Sequence, residues 1–212
     1  MKNPRIEMSG TATHWQNVWT TKQPEEVSWH QDDPALSLGM IQACALRRDA
    51  AIIDVGGGAS VLVDRLVERG YVHVAVLDIA GAALQTAAER LGPLGDDVSW
   101  IESSVLDWRP VPGLFDLWHD RAVLHFLTEP ADQARYVEVM KRALGPGASV
   151  ILATFAPDGP EKCSGLPVCR HDSASLAALL GPDFRLVEEV LQEHVTPGGN
   201  VQKFQWCRFV RV

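Results

Sequence analysis

No stretch of the 212 residues is apolar over the roughly 18 consecutive positions that a bilayer-spanning helix requires. The opening segment, "MKNPRIEMSGTATHW", also lacks the apolar core of a secretion signal, so the expected compartment is the cytoplasm. Cysteine is sparse: Cys44, Cys163, Cys169 and Cys207 are too few for a disulfide framework and in that compartment are expected to be thiols. Cys163 and Cys169 share one loop, but their spacing fits no zinc site, and no metal is expected. Basic residues are outnumbered, with 19 Lys and Arg against 27 Asp and Glu. The resulting net charge of −8 disfavours a non-specific grip on nucleic acid or on an anionic membrane. Internal repeats and low-complexity blocks are absent. What remains, 46 % apolar and 22 % charged residues, is the composition of a soluble globular domain long enough to build a full core.

Short β-like runs alternate with helical stretches, which argues for an α/β domain. "AAIIDV" (50–55) reads as a buried strand, and "SVLVDRLVERG" as a helix with Leu62, Val63, Leu66 and Val67 on one face. "YVHVAVLD" is a second strand ending at Asp78, followed by a helix over "AGAALQTAAERLG" that Gly92 ends. Further strands are expected near 98–101 and 114–119. Pro130 opens a helix that turns Ala134, Val137, Met140 and Leu144 inward and stops at the "GPG" break of 145–147. A fifth strand over 148–156, a short helix over 173–181 and a hairpin of 184–195 with 200–211 around "TPGGN" complete the pattern. Such a sheet is mostly parallel and takes its ligand at the carboxyl ends of its strands. Residues 1–48 stand apart as a helical extension carrying Trp15, Trp19 and Trp29, and 49–212 form the main domain. Those rings either cover a sheet edge or form a lid over substrate.

The stretch "IIDVGGGAS" (52–60) concentrates the chemistry. Glycines between a strand and a helix let backbone approach a ligand closely, and the helix start adds partial positive charge. A dinucleotide fingerprint built on Gly56 and Gly58 would need glycine where Val61 stands, so that reading fails. Asp54 lies two residues before the first glycine. Asp78, at the end of the second strand, is placed to accept hydrogen bonds from both hydroxyls of a ribose. A plain strand-to-helix turn is the alternative.

"DVGGGAS" resembles the D-x-G-x-G-x-(G/S) motif of the class I S-adenosylmethionine-dependent methyltransferases, and "VAVLD" resembles their second motif. The order of elements over 50–212 is similar too. The resemblance implies a Rossmann-like fold with a mostly parallel seven-stranded sheet, a C-terminal antiparallel hairpin and helices on both faces. It implies S-adenosyl-L-methionine as cofactor and S-adenosyl-L-homocysteine as product. Asp54, Gly56, Gly57 and Gly58 would then shape the methionine pocket, Asp78 would hold the ribose, and Ile79 would lie against the adenine. In "ESSVLDW", Ser104 and Val105 stand where the family often places an acidic adenine contact. The leader resembles that of a branch containing small bacterial methyltransferases and the lysine methyltransferases acting on citrate synthase and elongation factor.

"LWHDRAVLHFL" brings His119, Asp120 and Arg121 to the end of the fourth strand, with His125 just beyond. His119, Asp120 and His125 are candidate bases for methyl transfer, in which the enzyme aligns a nucleophile and removes its proton. The structural alternative makes Asp120 and Arg121 a pair that caps a helix and makes His125 a core residue. His14, Trp15, Trp29 and His30 are candidate substrate contacts from the leader. A small-molecule acceptor, such as a thiol, is the leading expectation; a protein lysine acceptor and a non-catalytic cofactor-binding role are the alternatives. Nucleic acid is not expected, because the fourth strand lacks the N/D-P-P-(Y/F) motif and no basic–aromatic groove is evident.

Overall fold

The computed structural model describes residues 4–212, with side chains from Thr11 onward. Residues 1–3 of the expected leader lie outside the described residues. The leader supplies α1 (Pro4–Thr21), a 3₁₀ turn at Pro24–Glu26 and α2 (Ala35–Ala43). Then come β1 (Ala51–Val55), α3 (Leu62–Glu68), β2 (His73–Asp78), α4 (Gly81–Leu91), β3 (Ser99–Glu102) and β4 (Phe115–Arg121). The second half contains α5 (Pro130–Ala143), β5 (Leu144–Phe155), the two-residue strands β6 (Lys162–Cys163) and β7 (Leu166–Pro167), α6 (Ser173–Leu180), β8 (Phe184–Val195) and β9 (Val201–Arg211).

Seven strands form one sheet in the order β3-β2-β1-β4-β5-β9-β8. The first five are parallel, and β9 joins β5 antiparallel, followed by β8. This is the Rossmann-like arrangement expected from the element order, and it brings the ends of β1, β2 and β4 to one rim. Both faces are covered, so β1, β2 and the second part of β5 are buried in near-continuous runs rather than alternating. One core contains Ile53, Val55, Trp118, Tyr136, Met140 and Leu152; the other contains Ile52, Leu62, Leu66, Val76, Leu117 and Trp206. Among the described residues no helix is long and apolar enough to cross a membrane.

Three local expectations are corrected. Ala134 is exposed, and the inward face of α5 is instead made by Tyr136, Val137, Val139, Met140 and Ala143. The "GPG" run does not separate α5 from its strand, because β5 already begins at Leu144 and pairs there with Phe115. The register shifts before Leu117 meets Ser149, so Gly145–Gly147 bulges within the strand. Finally, β4 runs on to Arg121 instead of ending at His119. It stops there because Ala122 adopts the left-handed region, with φ 77°.

The leader lies along the carboxyl rim of the sheet. The Gln16 side-chain oxygen accepts from the Ala82 amide at the start of α4, 3.3 Å away. His14 sits 3.4 Å from the Ser164 hydroxyl in the loop after β5. One helix therefore stretches over the strand ends from the β2 side to the β5 side.

Candidate active site

The glycine turn is built around side chains that need its missing Cβ atoms. A Cβ on Gly57 would sit 2.5 Å from Asp54 Oδ2 and 2.7 Å from Val76 Cγ1. A Cβ on Gly56, whose φ is 68°, would overlap Val123. At Gly58 it would meet Asp78 Oδ2 and Trp19 Cζ2, each at 3.2 Å. The turn is thus a cradle between the Asp54 and Asp78 carboxylates, with an indole from the leader resting on it. Asp78 is half-buried, and its Oδ1 accepts from the Ala80 amide at 2.8 Å. Burial pushes its carboxyl up to about 7, while backbone amides and the repelling charge of Asp54 act less strongly. Ile79 follows, half-buried. Ser104 forms a turn, its hydroxyl accepting from Leu106 and its carbonyl from Asp107 and Trp108, while Val105 points into the core.

Strand alternation divides the residues at the end of β4. His119 faces the leader: Nδ1 lies 2.7 Å from Asp54 Oδ1 and Nε2 lies 3.0 Å from Ser37 Oγ of α2. The result is a buried Asp54–His119–Ser37 chain along one wall of a cavity. Trp19, Trp29, His30, Gly56, Gly57 and Arg121 line the same cavity. Asp120 turns to the opposite face, where its carboxylate accepts from Val123 N (2.7 Å), Leu124 N (3.0 Å) and Tyr136 Oη (2.5 Å). It is completely buried and does not line the cavity. That corrects its placement as a base, and the expected pairing with Arg121 fails because adjacent strand residues point apart. Burial raises the Asp120 carboxyl to about 6.

His125 is also removed from the cavity. Its ring is packed 4.4 Å from Phe126 and 4.8 Å from Phe155, and it has no hydrogen-bond partner among the described residues. Burial pushes it down to about 3, which keeps the imidazole neutral at ordinary pH. Of the leader's candidates, Trp29 and His30 reach the cavity. Trp15 packs edge-on against Trp29 and Phe126, and His14 lies farther out at Ser164.

Comparison with known proteins now decides the class. Residues 52–147 match the family described as a methyltransferase domain. These residues are a methyltransferase domain. The fold of the whole chain is shared with several solved structures of low identity. One, from the conversion of a disulfide bond into a thioacetal group during echinomycin biosynthesis, is 17 % identical with TM-score 0.77, covering 95 % of this chain and 93 % of that one. A methyltransferase from Anabaena variabilis is 14 % identical with TM-score 0.75, covering 97 % and 95 %. The 1,6-didemethyltoxoflavin N1-methyltransferase of Burkholderia thailandensis is 18 % identical with TM-score 0.73, covering 100 % and 92 %. No curated protein matches the sequence.

Ser37 and Arg121 are among the cavity-lining residues that sequence reasoning did not assign to the site. Ser37 looked like one polar position in an apolar helix, "ALSLGMI", and only its burial beside His119 reveals its place. Arg121 read as a structural partner of Asp120. It instead donates from Nη1 to the Trp29 carbonyl at 2.8 Å and lies over the Phe204 ring at 5.3 Å. The alternation of β4, which puts residues 119 and 121 on one face, was the available signal.

Proposed function

We propose that the methyltransferase domain takes its methyl group from S-adenosylmethionine and delivers it, in line, to a small-molecule acceptor held beneath the N-terminal leader. The observation carrying this reading is the cradle between Asp54 and Asp78, closed by leader residues that share a cavity with the end of β4. The residues fit the cofactor: the turn has no room for Cβ atoms, and Asp78 can accept from a ribose at its edge. The Burkholderia neighbour holds S-adenosylhomocysteine together with 1,6-didemethyltoxoflavin, which supports a small-molecule acceptor.

When bound, the cofactor supplies an electrophilic methyl on a sulfonium with an excellent leaving group. The Asp54–Asp78 glycine cradle would hold the cofactor so that its methyl group is presented to the acceptor and S-adenosylhomocysteine is the product. The chain aligns the two partners and excludes water. Asp54 orients His119, whose other nitrogen meets Ser37, so a proton lost by a thiol or similar nucleophile has a buried polar chain to enter. The cavity, of about 60 Å³, is well below the roughly 300 Å³ of a small ligand pocket. The described part of the leader, residues 4–48, therefore acts as a lid, with Trp19 and Trp29 lifting to admit ligands and closing over them.

Incubating the protein with methyl-labelled S-adenosylmethionine and host lysate, then separating products by size, tests the reading. Label in the metabolite fraction is expected. Label on a protein band would favour the lysine reading, to which the acidic surface of Glu25, Asp32 and Asp33 beside His30 is suited. Cofactor binding without label anywhere would favour a non-catalytic role.

A further inference from the structure

Arg121 is the one cavity-lining residue with buried hydrogen-bond donors left unused among the described residues: Nε and Nη2 have no partner. A buried guanidinium left in that state is costly unless a ligand completes it. The two free donors belong to one edge of the group, the edge that meets a carboxylate side-on with two parallel bonds. Among the described residues that edge is used twice elsewhere. Arg90 donates from Nε and Nη2 to the two oxygens of Asp64 at 2.9 and 2.6 Å, and Arg47 does so to Asp49 at 2.8 and 2.7 Å. At Arg121 no side-chain carboxylate among the described residues takes the position.

Neighbouring groups leave its charge available. Asp54 and Cys163 act on it electrostatically, but Asp54 is already bonded to His119 and burial pushes the Cys163 thiol up to about 12, so it is neutral. Arg121 itself is pulled down by burial only to about 10 and stays protonated. Its place in the sheet separates it from the ribose end of the site. Asp78 is on β2, whereas Arg121 is on β4 and is backed by Phe204 of β9. The walls around the cation include the Trp19 and Trp29 indoles.

Resting on the small-molecule reading above, we propose that the acceptor is a carboxylate-bearing compound whose carboxylate is held side-on by Nε and Nη2 of Arg121. The guanidinium is then a specificity-determining residue, anchoring the end of the acceptor away from the methylated atom. Lysine in its place keeps a point charge and loses the fork.

The test is calorimetric titration of protein saturated with S-adenosylhomocysteine. The probes are a panel of aromatic and aliphatic carboxylic acids, each paired with its primary amide. The wild type should bind at least one acid tenfold or more tighter than its amide. Arg121→Met should lose that preference, Arg121→Lys should keep a weakened part of it, and both should bind S-adenosylhomocysteine within about twofold of wild type. The proposal is overturned if no acid is preferred over its amide, or if Arg121→Met leaves the preference intact. It is equally overturned if Arg121→Met weakens S-adenosylhomocysteine tenfold, because the guanidinium then holds the cofactor's own carboxylate. Failure of the wild type to bind S-adenosylhomocysteine at all would instead refute the underlying cofactor reading.

Discussion

Replacing Gly57 by alanine should damage both stability and the glycine cradle proposed to hold the cofactor, and the structure sets the size of the effect. The added methyl would stand 2.5 Å from Asp54 Oδ2, 2.9 Å from Asp54 Cγ and 2.7 Å from Val76 Cγ1, all well inside contact distance. Val76 lies in the central sheet and cannot retreat, so Asp54 must move. Overpacking of this kind costs about 1–3 kcal/mol. Displacing Asp54 also weakens its 2.7 Å bond to buried His119, a charge-assisted contact worth about 1.5–3 kcal/mol. The combined loss is then at most about 2.5–6 kcal/mol, measurable as a shifted urea midpoint with an unchanged slope. S-adenosylhomocysteine affinity should fall at least tenfold in the same variant. Gly39→Ala is the control: that glycine is in α2 with open space around it, and alanine there should stabilise by up to about 1 kcal/mol. A Gly57→Ala protein within about 0.5 kcal/mol of wild type and with unchanged ligand affinity would refute the packing argument.

Asp120, raised by burial to about 6 from an ordinary 3.8, favours folding in its neutral form; its relative stabilisation is present below pH 3.8 and lost as pH rises to about 6. That shift corresponds to about 3 kcal/mol, so in urea unfolding the ΔΔG of Asp120→Asn should be more destabilising at pH 4 than at pH 7.5; a pH-independent difference would count against it. Asp78, pushed up to about 7, must be ionised to accept from two ribose hydroxyls. Affinity for S-adenosylhomocysteine should therefore weaken about tenfold from pH 8 to pH 6, and titrations of Asp78→Asn should lose that dependence. Ala122→Gly relieves a left-handed alanine and should stabilise by up to about 1 kcal/mol in thermal unfolding; a lower Tm would mean the turn tolerates its alanine without strain.

The parallel half of the fold was legible because each strand is an apolar run closed by a turn residue, as in "IIDVGGG" and "VAVLDIAG". The hairpin was equally readable from "TPGGN", and β8 and β9 match the expected segments within a residue. The start of β5 was hidden because Gly-Pro-Gly normally signals a break, and only pairing of Leu144 with Phe115 draws the run into the sheet. Likewise, nothing in "HDRAVLHF" announces that an alanine is left-handed. That single φ value ends β4 after Arg121, beyond the site-facing His119 and Arg121 and the inward-facing Asp120. The glycine cradle with Asp54 and Asp78 could be located from spacing. Ser37 and the free edge of Arg121 could not, since each depends on contacts between segments far apart in the chain.

The central claim is that Asp78 and the glycine turn seat the nucleoside of S-adenosylmethionine. Calorimetric titration of S-adenosylhomocysteine into wild type and Asp78→Ala at pH 8 tests it most directly. Saturable one-to-one binding by the wild type is predicted, with a loss of about 1.5–3 kcal/mol in the variant, since a charged hydrogen-bond partner is removed. No binding by the wild type, or equal affinity in the two proteins, would contradict the account.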